Sequence, residues 1–203
     1  ATPRPMKPRR KQPAATRSAL LDAAAATFPV HGYHATGTAL LAAASNLTKG
    51  ALFHHFPDKP TLAAAWIAER LAAAIHDDWI SPLDAVRSPG ELRELCQRRL
   101  ATHAGLAHAT VLTNLVAEVS TRVPVPAAAL DQILAAWRNA VAAALQRGKD
   151  AGLTHPSVLP DAEAAFLVSL ICGLAVAATT PELRRGALRA MDAYFETLRA
   201  AAK

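Results

Sequence analysis

Apolar residues in this chain recur at steps of three and four along nearly its whole length, a period that helices satisfy and strands do not. Many intervening positions are alanine, the best helix former, and glycine is sparse, with 9 in 203 residues. The β-branched and aromatic clusters that strands require scarcely occur. The pattern predicts an all-α fold. A chain of this length can bury a sizeable core, as one domain or as a small domain joined to a larger one.

Charge divides the chain unevenly. Residues 1–60 hold Arg4, Lys7, Arg9, Arg10, Lys11, Arg17, Lys49 and Lys59 against only Asp22 and Asp58, which accounts for the whole formal charge of +6. The remainder is neutral. A basic end on a neutral body predicts a polyanionic partner. A solvated basic tail explains Arg4 to Lys11, where Pro3, Pro5, Pro8 and Pro13 point to disorder, but it does not account for the helical pattern that begins at Thr16. The two cysteines, Cys96 and Cys172, lie far apart in helical patterns. They exclude a disulfide framework, fit a reducing cytoplasm, and read as small buried side chains. The N-terminus has no apolar segment behind its basic residues, so no signal peptide is expected. The most apolar run, Ala164 to Ala178, is shorter than the ~18 residues that span a bilayer, and reads as a buried helix with no membrane partner.

Punctuation along the chain predicts the helices. The first is capped by Thr16, carries Leu20, Leu21, Ala24, Ala25 and Phe28 on its apolar face, and ends at Pro29 to Gly32. Short helices come next, over Thr38 to Ser45 and from Thr48 to about His55. Asp58 caps a long helix from Lys59 to Ile80. Further helices are expected over Glu91 to Ala107, Ala109 to Ser120, Pro124 to about Gly148, Asp161 to Ala178, and from Pro181 onward. There are no internal repeats and no long linker. The expected organisation is a disordered basic arm at 1–15, a DNA-binding unit at 16–58 and a helical body at 59–203.

The segment from Thr36 to Phe56, TGTALLAAASNLTKGALFHHF, holds two short helices joined by a tight turn, which is helix-turn-helix spacing. Leu41, Ala44 and Leu47 are expected to face inward with Leu52 and Phe56. Asn46 occupies the turn position that needs a left-handed residue. The exposed edge of the second helix carries Thr48, Lys49, Gly50, His54 and His55. A major groove about 12 Å wide admits one helix. Gly50 lets the backbone approach the bases, and Lys49 can donate to guanine O6 and N7. Thr48, His54, His55 and, beyond Pro57, Lys59 can engage phosphates.

Residues Thr16 to Leu62 resemble the N-terminal domain of the TetR family of bacterial one-component regulators. The likeness lies in a helix ending in phenylalanine followed by HGY, then TKGALFHHF, then a lysine opening the next helix. It implies that Thr38 and Thr48 contact phosphate, that Lys49 and Gly50 reach base edges, and that His54, His55 and Lys59 clamp the backbone. Phe53 departs from the family's usual tyrosine, Leu40 from a commonly polar residue, and Asn46 from the usual glycine. The resemblance further implies a C-terminal ligand-binding core and a homodimer binding a palindromic operator, repressing until a small lipophilic effector releases it.

For the effector pocket the candidates are Trp66, Trp79, His103, Asn114, Glu118, Trp137 and Phe166. For the dimer they are Phe166, Leu170, Gly173, Leu174, Ala177, Met191, Phe195 and Leu198: the Asp161 to Ala178 helix is apolar all round where a surface helix needs one stripe, so it is either central in the monomer or buried on one face against a second copy, and the resemblance implies the latter. Catalysis finds no support. His76-Asp77-Asp78 and His54-His55 lack metal-ligand spacing, His103 and His108 are five apart, and there is no phosphate loop, GxSxG or Cys/His arrangement. No cofactor is expected. The other reading is a helical adaptor or architectural DNA binder without a small-molecule ligand.

Overall fold

The computed structural model describes residues 13–101, 103–119, 122–177 and 180–200. Most of the expected basic arm therefore lies outside the described residues. Every element among them is helical, apart from an isolated antiparallel bridge between Thr154 and Arg199.

Helix α1 spans Pro13–Ala35, so Thr16 lies inside it and is buried rather than capping it. Leu20, Leu21, Ala24 and Phe28 face the core, whereas Ala25 is exposed. The helix runs on past Pro29 and breaks at Gly32, whose φ of 77° and ψ of 167° suit only a residue without Cβ. Helices α2 (Thr38–Ala44) and α3 (Lys49–His55) are joined by the turn through Asn46, whose φ of 53° is the left-handed value its side chain tolerates. Leu41, Leu52 and Phe56 lock the pair from inside, with Leu47 packed against them. Ala42 is buried and Ala44 exposed, the reverse of the sequence expectation for Ala44.

The long helix α4 begins at Lys59, with the Asp58 carboxylate accepting the Thr61 N–H at 2.8 Å. It is one continuous rod made of Lys59–Trp66, a π-helical stretch Ile67–Leu71, Ala72–Ile75 and a second π-helical stretch His76–Ile80. A 3₁₀ turn, Ser81–Ala85, closes it, held by Arg147, which donates to the Leu83 and Val86 carbonyls.

Helices α5 (Pro89–Leu100) and α6 (His103–Val119) meet at Ala101, not near His108 as the sequence suggested, because Leu106 and Ala109 continue one buried stripe through that point. Helix α7 spans Pro124–Asp150, α8 spans Pro160–Ala177 and α9 spans Pro181–Thr197. At 18 residues α8 is by length and composition able to cross a membrane. Here it buries Ala164, Leu167, Val168, Ile171, Leu174 and Ala175 in the core. One hydrophobic core runs from Leu20 in α1 to Leu198 just past α9.

The far end of the rod is pinned by polar side chains. Asp78 pairs with Arg99 of α5 at 3.0 Å and with His108 of α6 at 2.7 Å, while His76 sits 3.3 Å from Asp77. Cys96 is fully buried, which pushes its thiol up to about 12, so it stays protonated. Burial also raises the half-buried Cys172 thiol.

Candidate nucleic-acid interface

Local chemistry sets the pose of α3. The Thr48 hydroxyl accepts the Ala51 N–H at 3.1 Å and caps the helix, while Leu52 is wholly buried beneath it. The seven-residue helix consequently turns Lys49, Gly50, Phe53 and His54 to solvent. His55 is half-buried, its ring edge-on to that of His54 at 5.4 Å.

Gly50 carries information. A Cβ there would meet nothing nearer than the Thr48 hydroxyl at 3.8 Å. Glycine inside a helix costs roughly 1 kcal/mol against alanine, and no neighbour among the described residues requires it. The bare backbone faces outward, beside Lys49. Thr38 opens α2 one residue after its cap, Gly37, which has no side chain to cap the helix. Leu40 and Phe53 are exposed apolar residues of the same unit, Phe53 at 47%.

Lys59 is placed differently from its neighbours. Its Nζ donates to the Tyr33 carbonyl at 2.9 Å and lies 4.3 Å from the centre of the Tyr33 ring. Burial holds the ammonium below its ordinary range, with the Glu118 charge opposing. Its donors are directed into the protein, so Lys59 fixes the rod to the end of α1 instead of reaching outward.

A second joint lies alongside, and the sequence reading did not find it. Glu118 of α6 accepts the His34 N–H at 3.1 Å, and the His34 ring Nε2 lies 3.0 Å from the Glu118 backbone oxygen. A Cβ on Gly32 would fall 2.6 Å from Glu118 Oε1. Arg17 forms a two-pronged pair with Glu69 of the rod and stands over the Phe56 ring at 5.3 Å. The only sequence signal for this joint is the Gly32–Tyr33 dipeptide, which marks a break but not what meets it.

The candidates for a pocket do not assemble at one place. Asn114 and Glu118 line a cleft of about 420 Å³ with Phe28 to Gly32, at the joint just described. Trp66 packs in the core against Phe28 at 5.3 Å. Trp79 and Trp137 form a buried pair, ring centres 5.0 Å apart. Phe166 is half-exposed against Tyr194, away from both. The His103 side chain lies outside the described residues.

The interface candidates also divide. Phe166, Leu170, Gly173 and Ala177 lie on the outer side of α8 or its margin. Leu174, Met191, Phe195 and Leu198 are buried within the protomer's own core. Leu174 is eight residues from Phe166, which turns it about 80° round the helix and into the core. The outer face of α8 is instead Ala162, Phe166, Ser169, Gly173 and Val176, with no charge on it.

Residues 20–66 match the model for bacterial regulatory proteins of the tetR family, and residues 88–195 match that for the tetracyclin repressor-like C-terminal domain. The chain is 25% identical over 161 residues to the A-factor receptor protein of Streptomyces griseus, covering 78% of this chain and 53% of that one. It thus spans about half the length of that curated relative. Among solved structures it resembles a TetR-family regulator from Agrobacterium tumefaciens, with TM-score 0.75, 18% identity and coverage of 93% of this chain and 100% of that one. It also resembles a regulator from Saccharomonospora viridis in complex with choline, with TM-score 0.76, 19% identity and coverage of 93% and 100%. At these identities the structural likeness is one of fold.

Proposed function

This chain belongs to the TetR family of transcriptional regulators, and we propose that it is a repressor that binds a palindromic operator as a homodimer and lets go when a small effector enters its helical body. The observation that carries the reading is α3, a short capped helix with Lys49 and an unneeded glycine on its open side. In a dimer two such helices enter successive major-groove faces, about 34–36 Å apart. Lys49 reads base edges over the bare backbone of Gly50. Thr38, Thr48, His54 and His55 hold phosphates, and Lys59 sets the angle of the rod that carries the unit.

The body at 59–203 supplies the control. The rod runs roughly 30 Å from Lys59 to Ile80. It is fixed to the DNA-binding unit by Lys59 and Arg17 and to the body by Asp78. An effector that favours a shifted rod changes the separation of the two reading helices and so releases DNA. A relative named as a receptor supports a small-molecule input. The test is to select DNA on the purified protein and measure binding by fluorescence anisotropy. The reading expects a two-fold symmetric selected site and a steep loss of affinity with salt. Selected sites without symmetry would sink it.

A further inference from the structure

A half-open cleft of about 1340 Å³, far larger than the one beside Glu118, lies where the start of α5, the end of α7 and the chain's approach to Ala200 meet. Arg147, near that end of α7, binds the carbonyls of Leu83 and Val86 just past the rod, so the cleft sits beyond the rod's far end. Its charged lining is of one sign: Lys149, His155 and Arg199 line it, and among the described residues no carboxylate does. Each of the three is held by a neighbour and keeps donors over. Lys149 Nζ donates to the Val158 carbonyl at 2.8 Å, leaving its other N–H groups free. Arg199 meets Glu196 through Nη1, at 3.1 Å, leaving Nε and Nη2. The His155 Nδ1 accepts the Ser157 N–H at 3.3 Å, which puts the proton of the neutral ring on Nε2.

Helix α5 opens onto the same cleft. Pro89 has no N–H, the Ser88 hydroxyl accepts that of Glu91, and the Gly90 N–H has no partner among the described residues. A Cβ on Gly90 would meet nothing nearer than the Ser88 hydroxyl at 3.7 Å, so packing does not call for glycine there. Thr154, in the same wall, is 1% exposed, and its hydroxyl has no hydrogen-bond partner among the described residues. Buried hydroxyls ordinarily find one, so its partner has to come from outside those residues.

We propose that this cleft binds a small amphiphile, an anionic head carried on an apolar body, at a site separate from the effector input. Free cationic donors beside a helix N-terminus favour negative charge. The head takes the Gly90 N–H together with Lys149 and Arg199, and the bare backbone at Gly90 lets it come close. What selects an apolar body is Leu153, a large apolar side chain 49% exposed in the lining, with Pro89 and Pro156 in the same wall. The site stands whether or not the chain releases DNA in response to a ligand.

The test uses the full chain without DNA and three probes: 4-phenylbutyrate, with head and body; 4-phenylbutanol, with the body alone; and acetate, with the head alone. Calorimetry is expected to show phenylbutyrate binding about five- to fiftyfold more tightly than phenylbutanol, the span that hydrogen bonds to a charged group confer. It should also bind about tenfold or more tightly than acetate, through the apolar area covered. Gly90→Ala sets a methyl group before the helix end, yet alanine is the better helix former. The melting temperature should therefore hold or rise while phenylbutyrate affinity falls about fivefold. Arg199→Gln removes an exposed ion pair of little worth to the fold, and should weaken binding about threefold with the melting temperature unchanged. Phenylbutanol or acetate binding as tightly as phenylbutyrate overturns the proposal, as does the lack of saturable binding. Unchanged phenylbutyrate affinity in either variant places the anion elsewhere and overturns it too. None of these outcomes bears on DNA binding, which the selection of symmetric sites tests by itself.

Discussion

Lys49 and His55 stand on one short helix yet should fail differently when removed. Lys49 is exposed at the leading end beside Gly50, while His55 is half-buried at the trailing end. Base-edge contacts are each worth roughly 1–3 kcal/mol of discrimination, whereas phosphate contacts act on every sequence alike. Lys49→Ala is expected to weaken binding to the selected site far more than to random DNA, and His55→Ala to weaken both equally. Anisotropy titrations on the two DNAs at several salt concentrations measure this, and equal losses for Lys49→Ala would remove it from base reading. The residues legible in the sequence here are those whose partners are local. Thr48 and Asp58 cap helices within three residues of themselves, and the left-handed angle at Asn46 is a property of the turn. Lys59 was not legible, because the Tyr33 carbonyl that accepts its hydrogen bond lies 26 positions away and is presented only by the break at Gly32.

Between elements, α1 and the rod are joined by groups whose protonation matters. The Arg17 guanidinium holds the Glu69 carboxyl below its usual range, and the Thr61 hydroxyl and N–H do the same for Asp58. A carboxylate lowered in the folded state lends stability that is complete above its unfolded pKa, near 4, and is lost as pH falls through the lower folded value. Thermal melts are therefore expected to drop as pH falls below about 4, and Asp58→Asn with Glu69→Gln to flatten that drop. An unchanged slope in the double variant would place the acid sensitivity elsewhere. At neutral pH, Asp58→Ala should cost ~1 kcal/mol, the usual worth of such a cap. The joint between Gly32 and Glu118 gives a sharper test. Gly32→Ala suffers twice, from a backbone angle worth about 1–3 kcal/mol and from a Cβ 2.6 Å from Glu118 Oε1. In a Glu118→Ala background only the first cost remains, so the two substitutions should be non-additive in denaturant melts, and simple additivity would mean that they do not touch. The helical elements were legible from period and punctuation. Their meeting points were not: the α5–α6 break lies at Ala101, and Glu118 stands in the sequence as a pocket candidate, its contact with His34 existing only once α6 is laid against the end of α1.

Which surface pairs two copies is a question for the molecule as a body. The all-round apolarity of α8 was legible in its sequence, but its inner and outer sides were not, since both are apolar and only the fold decides which meets the core. Leu174 and Met191 belong to that core, at 7% and 1% exposure. A charge at either would sit unpaired among apolar side chains, at a cost of several kcal/mol, and should lower the melting temperature or prevent folding. The outer side of α8 is another matter. Phe166 and Val176 are each 50% exposed, separated by the small residues Ser169 and Gly173, on a face free of charge. Under the proposed homodimer, an uncharged strip of this kind is the expected contact in a four-helix bundle built from α8 and α9 of each copy. Val176→Asp should therefore leave the melting temperature of the protomer nearly unchanged while producing monomers in sedimentation velocity. Affinity for the symmetric DNA site should fall steeply, because a lone copy engages only one half-site. A folded Val176→Asp protein that still sediments as a dimer would move the interface off this face.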